Sequence, residues 1–235
     1  MRSGQIRLVA ACMALLPLFA AAQERLRPGF SDELWLSAQI RSTLPKFLKK
    51  PLGDHYKKLR MSGELGYRSA DNFFAGRQIY TDLALRYRFN KHFNANIEYR
   101  YADRGAYLPN RQRLLLVGRA GTAVERFDLG YRFIQQWVFL DRGRTRNIIR
   151  NRFSVEYDIR KWKLDPEFSL EFFTRTDQPQ GWNHIGTRYS LGTSFSPWKG
   201  HTFSPSIIHD RDARVAWPMN RIMYSIDYVV DLRRL

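Results

Sequence analysis

The sequence predicts an all-β protein: an antiparallel up-and-down transmembrane β-barrel of about 12 strands, preceded by an export signal. Three observations predict it. First, apolar and polar residues alternate with period two from residue 34 onward, the period of a strand whose successive side chains face opposite sides. Second, the faces are segregated by charge. In the nine clearest alternating segments, 44 apolar-face positions hold no charged residue, while 23 of the 41 opposite positions are charged. The chain is 26% charged overall, so an empty face of that size marks a surface that water does not wet. Third, the segments run for about 9–13 residues, the length of a tilted strand crossing a bilayer.

The first 22 residues read as a signal peptide, which leaves 23–235 as the barrel. Arg2 and Arg7 make a short positive region, Leu8 to Phe19 is apolar, and Ala20-Ala21-Ala22 supplies the small residues of a cleavage site. Val9-Ala10-Ala11-Cys12 superficially resembles a lipoprotein box, but accepting it would leave too short an apolar region. Cleavage removes the lone cysteine, Cys12, so disulfide, zinc-thiolate and cysteine-nucleophile chemistry are excluded from the mature chain. No later apolar run approaches 18 residues, and the mean hydropathy is −0.48, so no transmembrane helix is expected. The formal charge of +17 falls to +15 without Arg2 and Arg7. That excess is scattered along the chain, with no zinc or RNP-type motif, which argues against a nucleic-acid partner.

Taken in order, the strands begin with a weaker candidate at 34–41. A basic connector at 42–57 follows, with Lys46, Lys49, Lys50 and Lys57. Leu59, Met61, Gly63, Leu65 and Tyr67 then alternate with Arg60, Ser62, Glu64, Gly66 and Arg68. Ile79 to Phe89 and Phe93 to Tyr101 continue the pattern. Segment 114–120 comes next, then Phe127, Leu129, Tyr131 and Phe133 opposite Arg126, Asp128, Gly130 and Arg132. Asn151, Phe153, Val155 and Tyr157 alternate with Arg152, Ser154 and Glu156. The series closes with 166–172, 185–195, the weaker 201–208, and 222–232. Aromatics gather at both ends of the apolar faces, as interfacial girdles would.

These are eleven segments, and bacterial single-chain barrels have an even number of strands. A twelfth crossing is therefore expected in 23–33, although Pro28-Gly29 is unfavourable for a regular strand there. Short connectors near 91, 122, 161 and 199 alternate with long ones at 69–78, 102–112, 134–148, 174–184 and 209–219. The short set and 42–57 are expected on the periplasmic side, the long set outside.

Several pieces carry a family resemblance: Leu34-Trp35-Leu36-Ser37, Leu85-Arg86-Tyr87-Arg88-Phe89-Asn90-Lys91, Arg150-Asn151-Arg152-Phe153-Ser154-Val155-Glu156-Tyr157, and Lys163-Leu164-Asp165-Pro166. Across most of 34–232 the chain resembles an uncharacterised family of outer-membrane β-barrels, defined by a domain of unknown function and common in Bacteroidota. The resemblance implies fold and a bacterial outer-membrane location. It implies no activity and no catalytic residue. The first connector is longer than the tight turn expected there.

The residues expected to line the lumen are Arg60, Glu64, Asp82, Arg86, Glu98, Arg100, Asp128, Arg132, Arg152, Glu156, Glu171 and Arg188. Both signs occur together, as in an interior stitched by Arg–carboxylate pairs. Such a lumen is either a self-satisfied structural plug, suited to a structural or assembly component, or a small anion-biased pore. Arg142, Arg144 and Arg146 in a long connector are candidates for lipopolysaccharide phosphates, because guanidinium forks match phosphate oxygens. The expected partners are thus outer-membrane lipids and lipopolysaccharide, with an envelope protein complex as a further option. No metal or cofactor motif is present. Two alternatives remain at this stage. One is a hydrolase acting at the rim near His209-Asp210-Arg211-Asp212, although adjacent strand residues point to opposite faces. Asp210, Arg211, Asp212 and Arg214 also read more simply as a solvated loop with local ion pairs. The other alternative is a soluble periplasmic barrel that binds an acidic ligand.

Overall fold

The computed structural model describes residues 29–235 except 71, 72, 74, 106, 107, 141, 142, 180, 215 and 216. The proposed signal peptide and residues 23–28 lie outside the described residues. Eleven strands form one closed barrel: β1 (Gly29–Ser42), β2 (Leu59–Ser69), β3 (Gly76–Arg88), β4 (Phe93–Asp103), β5 (Arg111–Val124), β6 (Phe127–Phe139), β7 (Thr145–Tyr157), β8 (Asp165–Gln178), β9 (Gly181–Ser194), β10 (His201–Asp212) and β11 (Met219–Asp231). Each strand pairs antiparallel with its sequence neighbour, and the barrel shuts where β1 pairs parallel with β11, from Gly29↔Met219 to Arg41↔Asp231.

That closure corrects the strand count. Residues 29–33 belong to the start of β1 rather than to a further strand, and the sheet closes on eleven. The parity expectation fails because it assumes that the first and last strands meet antiparallel. A parallel seam hydrogen-bonds both edges just as completely, so no edge is left open.

The parallel seam also fixes two rims. Gly29 and the connectors at 70–75, 104–110, 140–144, 179–180 and 213–218 lie at one, here called upper. The connectors at 43–58, 89–92, 125–126, 158–164 and 195–200, with the chain end, lie at the other. The expected alternation of long and short connectors does not hold. β6 and β7 extend through most of 134–148, and β8 and β9 leave only 179–180 between them. These extensions, such as Gln135-Gln136-Trp137 and Arg146-Asn147, are polar enough to read as loop in sequence, yet they continue the ladder. The longest connector, 43–58, folds into three short helical turns held to the barrel by Arg88 N–H donating to Lys58 O (2.9 Å) and by His55 Nδ1 against the Tyr87 hydroxyl (2.9 Å).

The outer face is apolar: Leu65, Leu83, Ile97, Leu191 and Ile207 are each more than half exposed on it. Near the lower rim it carries touching aromatic rings, with Tyr87–Phe89 and Phe127–Tyr157 centroids at 4.9 Å and Phe203–Tyr228 at 4.6 Å. The buried residues, by contrast, include as many polar and charged ones as apolar ones. Glu33, Asp82, Asn96, Gln136, Ser169 and Glu171 are all buried, facing inward.

Candidate functional site in the barrel interior

Register places the interior set without ambiguity. Glu64 pairs with Asp82, Asp82 with Arg100, Asp128 with Glu156, Arg132 with Arg152, and both Arg152 and Arg188 with Glu171. Arg60 pairs with Arg86, and Ala84, in the same phase as Arg86, pairs with Glu98. All twelve lumen candidates therefore share the inward phase. They do not form one cluster. The upper half of the interior is filled, and the lower half is hollow.

In the upper half, Glu171 is 2% exposed and faces three guanidinium groups. Arg150 grips it with two hydrogen bonds of 3.1 Å, Arg132 approaches to 3.4 Å from two strands away, and Arg188 lies at 3.9 Å. Arg188 in turn donates to Asp210 at 2.7 Å. Burying a carboxylate this deeply is costly unless its charge is answered at short range, as it is here by the three guanidinium groups.

Within and beside this cluster, aromatic rings stand between the cations. Arg68 stacks 3.8 Å above Trp35, whose other neighbour is Arg188 at 5.2 Å, and Arg100 lies 4.2 Å over Tyr80. Phe173 stands between Arg150 (4.9 Å) and Arg188 (5.0 Å). A π-face attracts a guanidinium, and for Arg68, which makes no ion pair among the described residues, the Trp35 and Tyr80 rings stand in place of a carboxylate. The Tyr80 hydroxyl donates to Glu64 at 2.7 Å, and Arg100 donates twice to Asp82, at 2.6 and 3.0 Å. The Tyr80 ring fits because its cross-strand partner is Gly66, where a Cβ would collide with it. Leu115, Val117 and Ile134 on neighbouring β5 and β6 add a small apolar core. At the upper rim, Glu33 accepts from Arg77 (2.7 Å) and from the Trp35 indole (2.9 Å), and Arg221 holds Asp212 with two 2.9 Å hydrogen bonds.

The lower half has the opposite composition. Its inward positions include Ser62, Ala84, Gly121, Gly130, Ser154, Gly192 and Ser204, too small to meet across the axis. A cavity of about 350 Å³ remains, lined by Ser37, Gln39, Arg41, Glu64, Asp82, Arg86, Asn96, Glu98, Arg119 and Asp227 among others, with Arg100 and Arg132 also on its wall. Asp128 and Glu156 lie still nearer the lower rim as an acidic pair, with Glu156 beside Glu167, which Arg152 bridges at 3.0 Å.

Other sequence readings separate here. His209 stacks on Tyr189 on the outer face (6.1 Å, near-parallel rings), whereas Asp210 points inward to Arg188, so the two form no dyad. The solvated-loop reading of Asp210 and Asp212 is corrected: β10 runs through both, and each is ion-paired inside the barrel. Arg142 lies outside the described residues. Arg144 is exposed in its connector, and Arg146 turns inward on β7 opposite Val138. Among the described residues no group of His, Cys, Asp and Glu could hold a metal ion.

Sequence reasoning missed Trp35, Tyr80 and Phe173 as interior residues with a role. A legible signal existed, since each stands alone in the polar phase of its strand. The class defined by this fold is a closed β-barrel with an apolar exterior and a charged interior. Within that class, the chain belongs to the family described as "Protein of unknown function (DUF2490)", whose pattern matches residues 32–217. No curated protein matches the sequence. A solved structure of the NanC porin, in a rhombohedral crystal form, matches with a TM-score of 0.43 and 9% identity, over 77% of this chain and 88% of that one.

Proposed function

We propose that residues 1–22 direct export and that the mature chain is a bacterial outer-membrane barrel with a narrow, anion-biased lumen. One observation carries the reading: charge is confined to the inside of a closed sheet whose outside is apolar. A soluble barrel would be arranged the other way round, with the charged face in water. Closure satisfies every ladder hydrogen bond internally, which hydrocarbon demands. The aromatic band at the lower rim suits a headgroup interface. Eleven strands fall between eight-strand barrels filled by side chains and sixteen-strand water-filled ones. The filled upper half makes the path narrow, and the arginines make it favour anions.

In this reading the lower rim, with the basic 43–58 connector, faces the periplasm, where an acidic envelope partner would meet it. Arg144 at the upper rim contacts lipopolysaccharide phosphate, together with Arg142. Replacing Arg142 and Arg144 then weakens lipopolysaccharide binding, and unchanged binding removes that contact. Membrane insertion is tested by folding into detergent and looking for heat-modifiable migration, which a soluble barrel would not need. Conductance is tested in a planar bilayer under a salt gradient. The expected result is a small conductance with a reversal potential of anion-selective sign. A cation-selective sign sinks the anion bias, and a silent bilayer removes the pore and leaves the structural role in its place.

A further inference from the structure

In the hollow lower half two guanidinium groups, those of Arg41 and Arg86, have few partners. Four carboxylates line its cavity, and each already accepts a hydrogen bond. Asp82 takes two from Arg100, Glu64 takes Tyr80 and Gln39, Asp227 takes the Ser37 hydroxyl at 2.5 Å, and Glu98 takes Asn96 and, at 3.4 Å, Arg119. The arginines on the same wall are less well matched. Arg41 donates only to the Gln39 side chain (2.6 Å), and Arg86 makes no side-chain hydrogen bond or ion pair among the described residues. Arg119 spends its short bond on Asn96 (2.6 Å).

Arg41, Arg86 and Arg119 stand on β1, β3 and β5, alternate strands of one curved wall. All three guanidinium groups line the same cavity. Like charges held together by a scaffold, with spare fork donors pointing into one cavity, are the arrangement that an added anion relieves. The small residues beside them, Ser62 next to Arg41 and Ala84 two positions from Arg86, leave the room with Ser204 on β10, and the filled half above closes the far side.

We propose that this vestibule is a binding site for a small anion bearing a phosphate or carboxylate group, held by Arg41 and Arg86 with Arg119 as third donor. A cavity of about 350 Å³ lies at the small end of ligand pockets, so the occupant is a small metabolite-sized acid rather than a chain. The inference deepens the anion-biased lumen proposed above and rests on it for a route by which solute arrives.

The test uses the mature chain folded in detergent, with folding verified by heat-modifiable migration. Inorganic phosphate is titrated and followed by phosphorus NMR or calorimetry. Saturable binding is expected. It should weaken about tenfold or more in Arg86→Gln and in Arg41→Gln, each of which removes a charged donor, and stay unchanged in Arg160→Gln, in an exposed turn. Tetramethylammonium titrated into the unaltered protein should show no saturable binding, a readout that needs no variant. Equal phosphate affinity in both cavity variants, or equal binding of the cation, overturns the site. Phosphate binding without conductance keeps the site and removes the pore, while anion-selective conductance without saturable binding does the reverse.

Discussion

The two halves of the barrel interior are built from the same strands in the same inward phase, yet they solve the burial of charge differently. Toward the upper rim, large side chains meet across the axis. Glu171 gathers three arginines, and Trp35, Tyr80 and Phe173 fill the gaps between cations. Toward the lower rim, glycine, alanine and serine alternate with arginine, and a cavity remains. The difference teaches that charged residues in a lumen do not by themselves announce a pore. What decides is the volume of their inward neighbours, because a guanidinium packed against a ring seals the lumen and one facing a serine leaves it open.

That contrast can be broken, and the largest effect is expected at Glu171. In Glu171→Gln, three guanidiniums lose the carboxylate they share, and breaking a buried ionic cluster from one side costs about 3–5 kcal/mol. Urea unfolding in vesicles should show the loss, and a variant of unchanged midpoint would mean that water already screens the cluster. Next comes Gly66→Val, which forces the Tyr80 ring out of its place. Overpacking of this kind costs about 1–3 kcal/mol, and the conductance of the upper half should change with it. Trp35→Ala removes a ring between Arg68 and Arg188, with a stability cost of about 1–2 kcal/mol for two cation–π contacts. Bilayer conductance should rise in that variant, and a current equal to that of the parent would place the constriction elsewhere. The smallest effect is expected in the hollow half. Ser154→Ala, which packs against little, should change stability by less than about 0.5 kcal/mol, and a larger loss would show that the lower half is ordered by contacts of its own.

Most of the fold was legible in the sequence because a strand's period of two leaves its mark on every residue. All eleven alternating segments became strands, including the weak ones at 34–41 and 201–208, and the apolar phase of each became the outer face. The ends were less legible. Asp210 and Asp212 read as loop because charge at a segment's end looks like solvent. Only the barrel supplied Arg188 and Arg221 as partners from neighbouring strands. Arg146 looked like a connector residue for the same reason.

The inward phase of each strand, and hence which residues share the lumen, was determined by the sequence alone through local alternation. The tertiary structure decided the rest. The count of eleven rests on the parallel pairing of β1 with β11, a contact between opposite ends of the chain that no local pattern encodes. The division into a filled and a hollow half likewise depends on which rungs the stagger of the strands brings to one height. Glu171 on β8 meets Arg188 across the β8–β9 hairpin, but it meets Arg132 on β6 only once neighbouring hairpins have paired and curved, and so the electrostatics of the interior are a property of the sheet rather than of any strand within it.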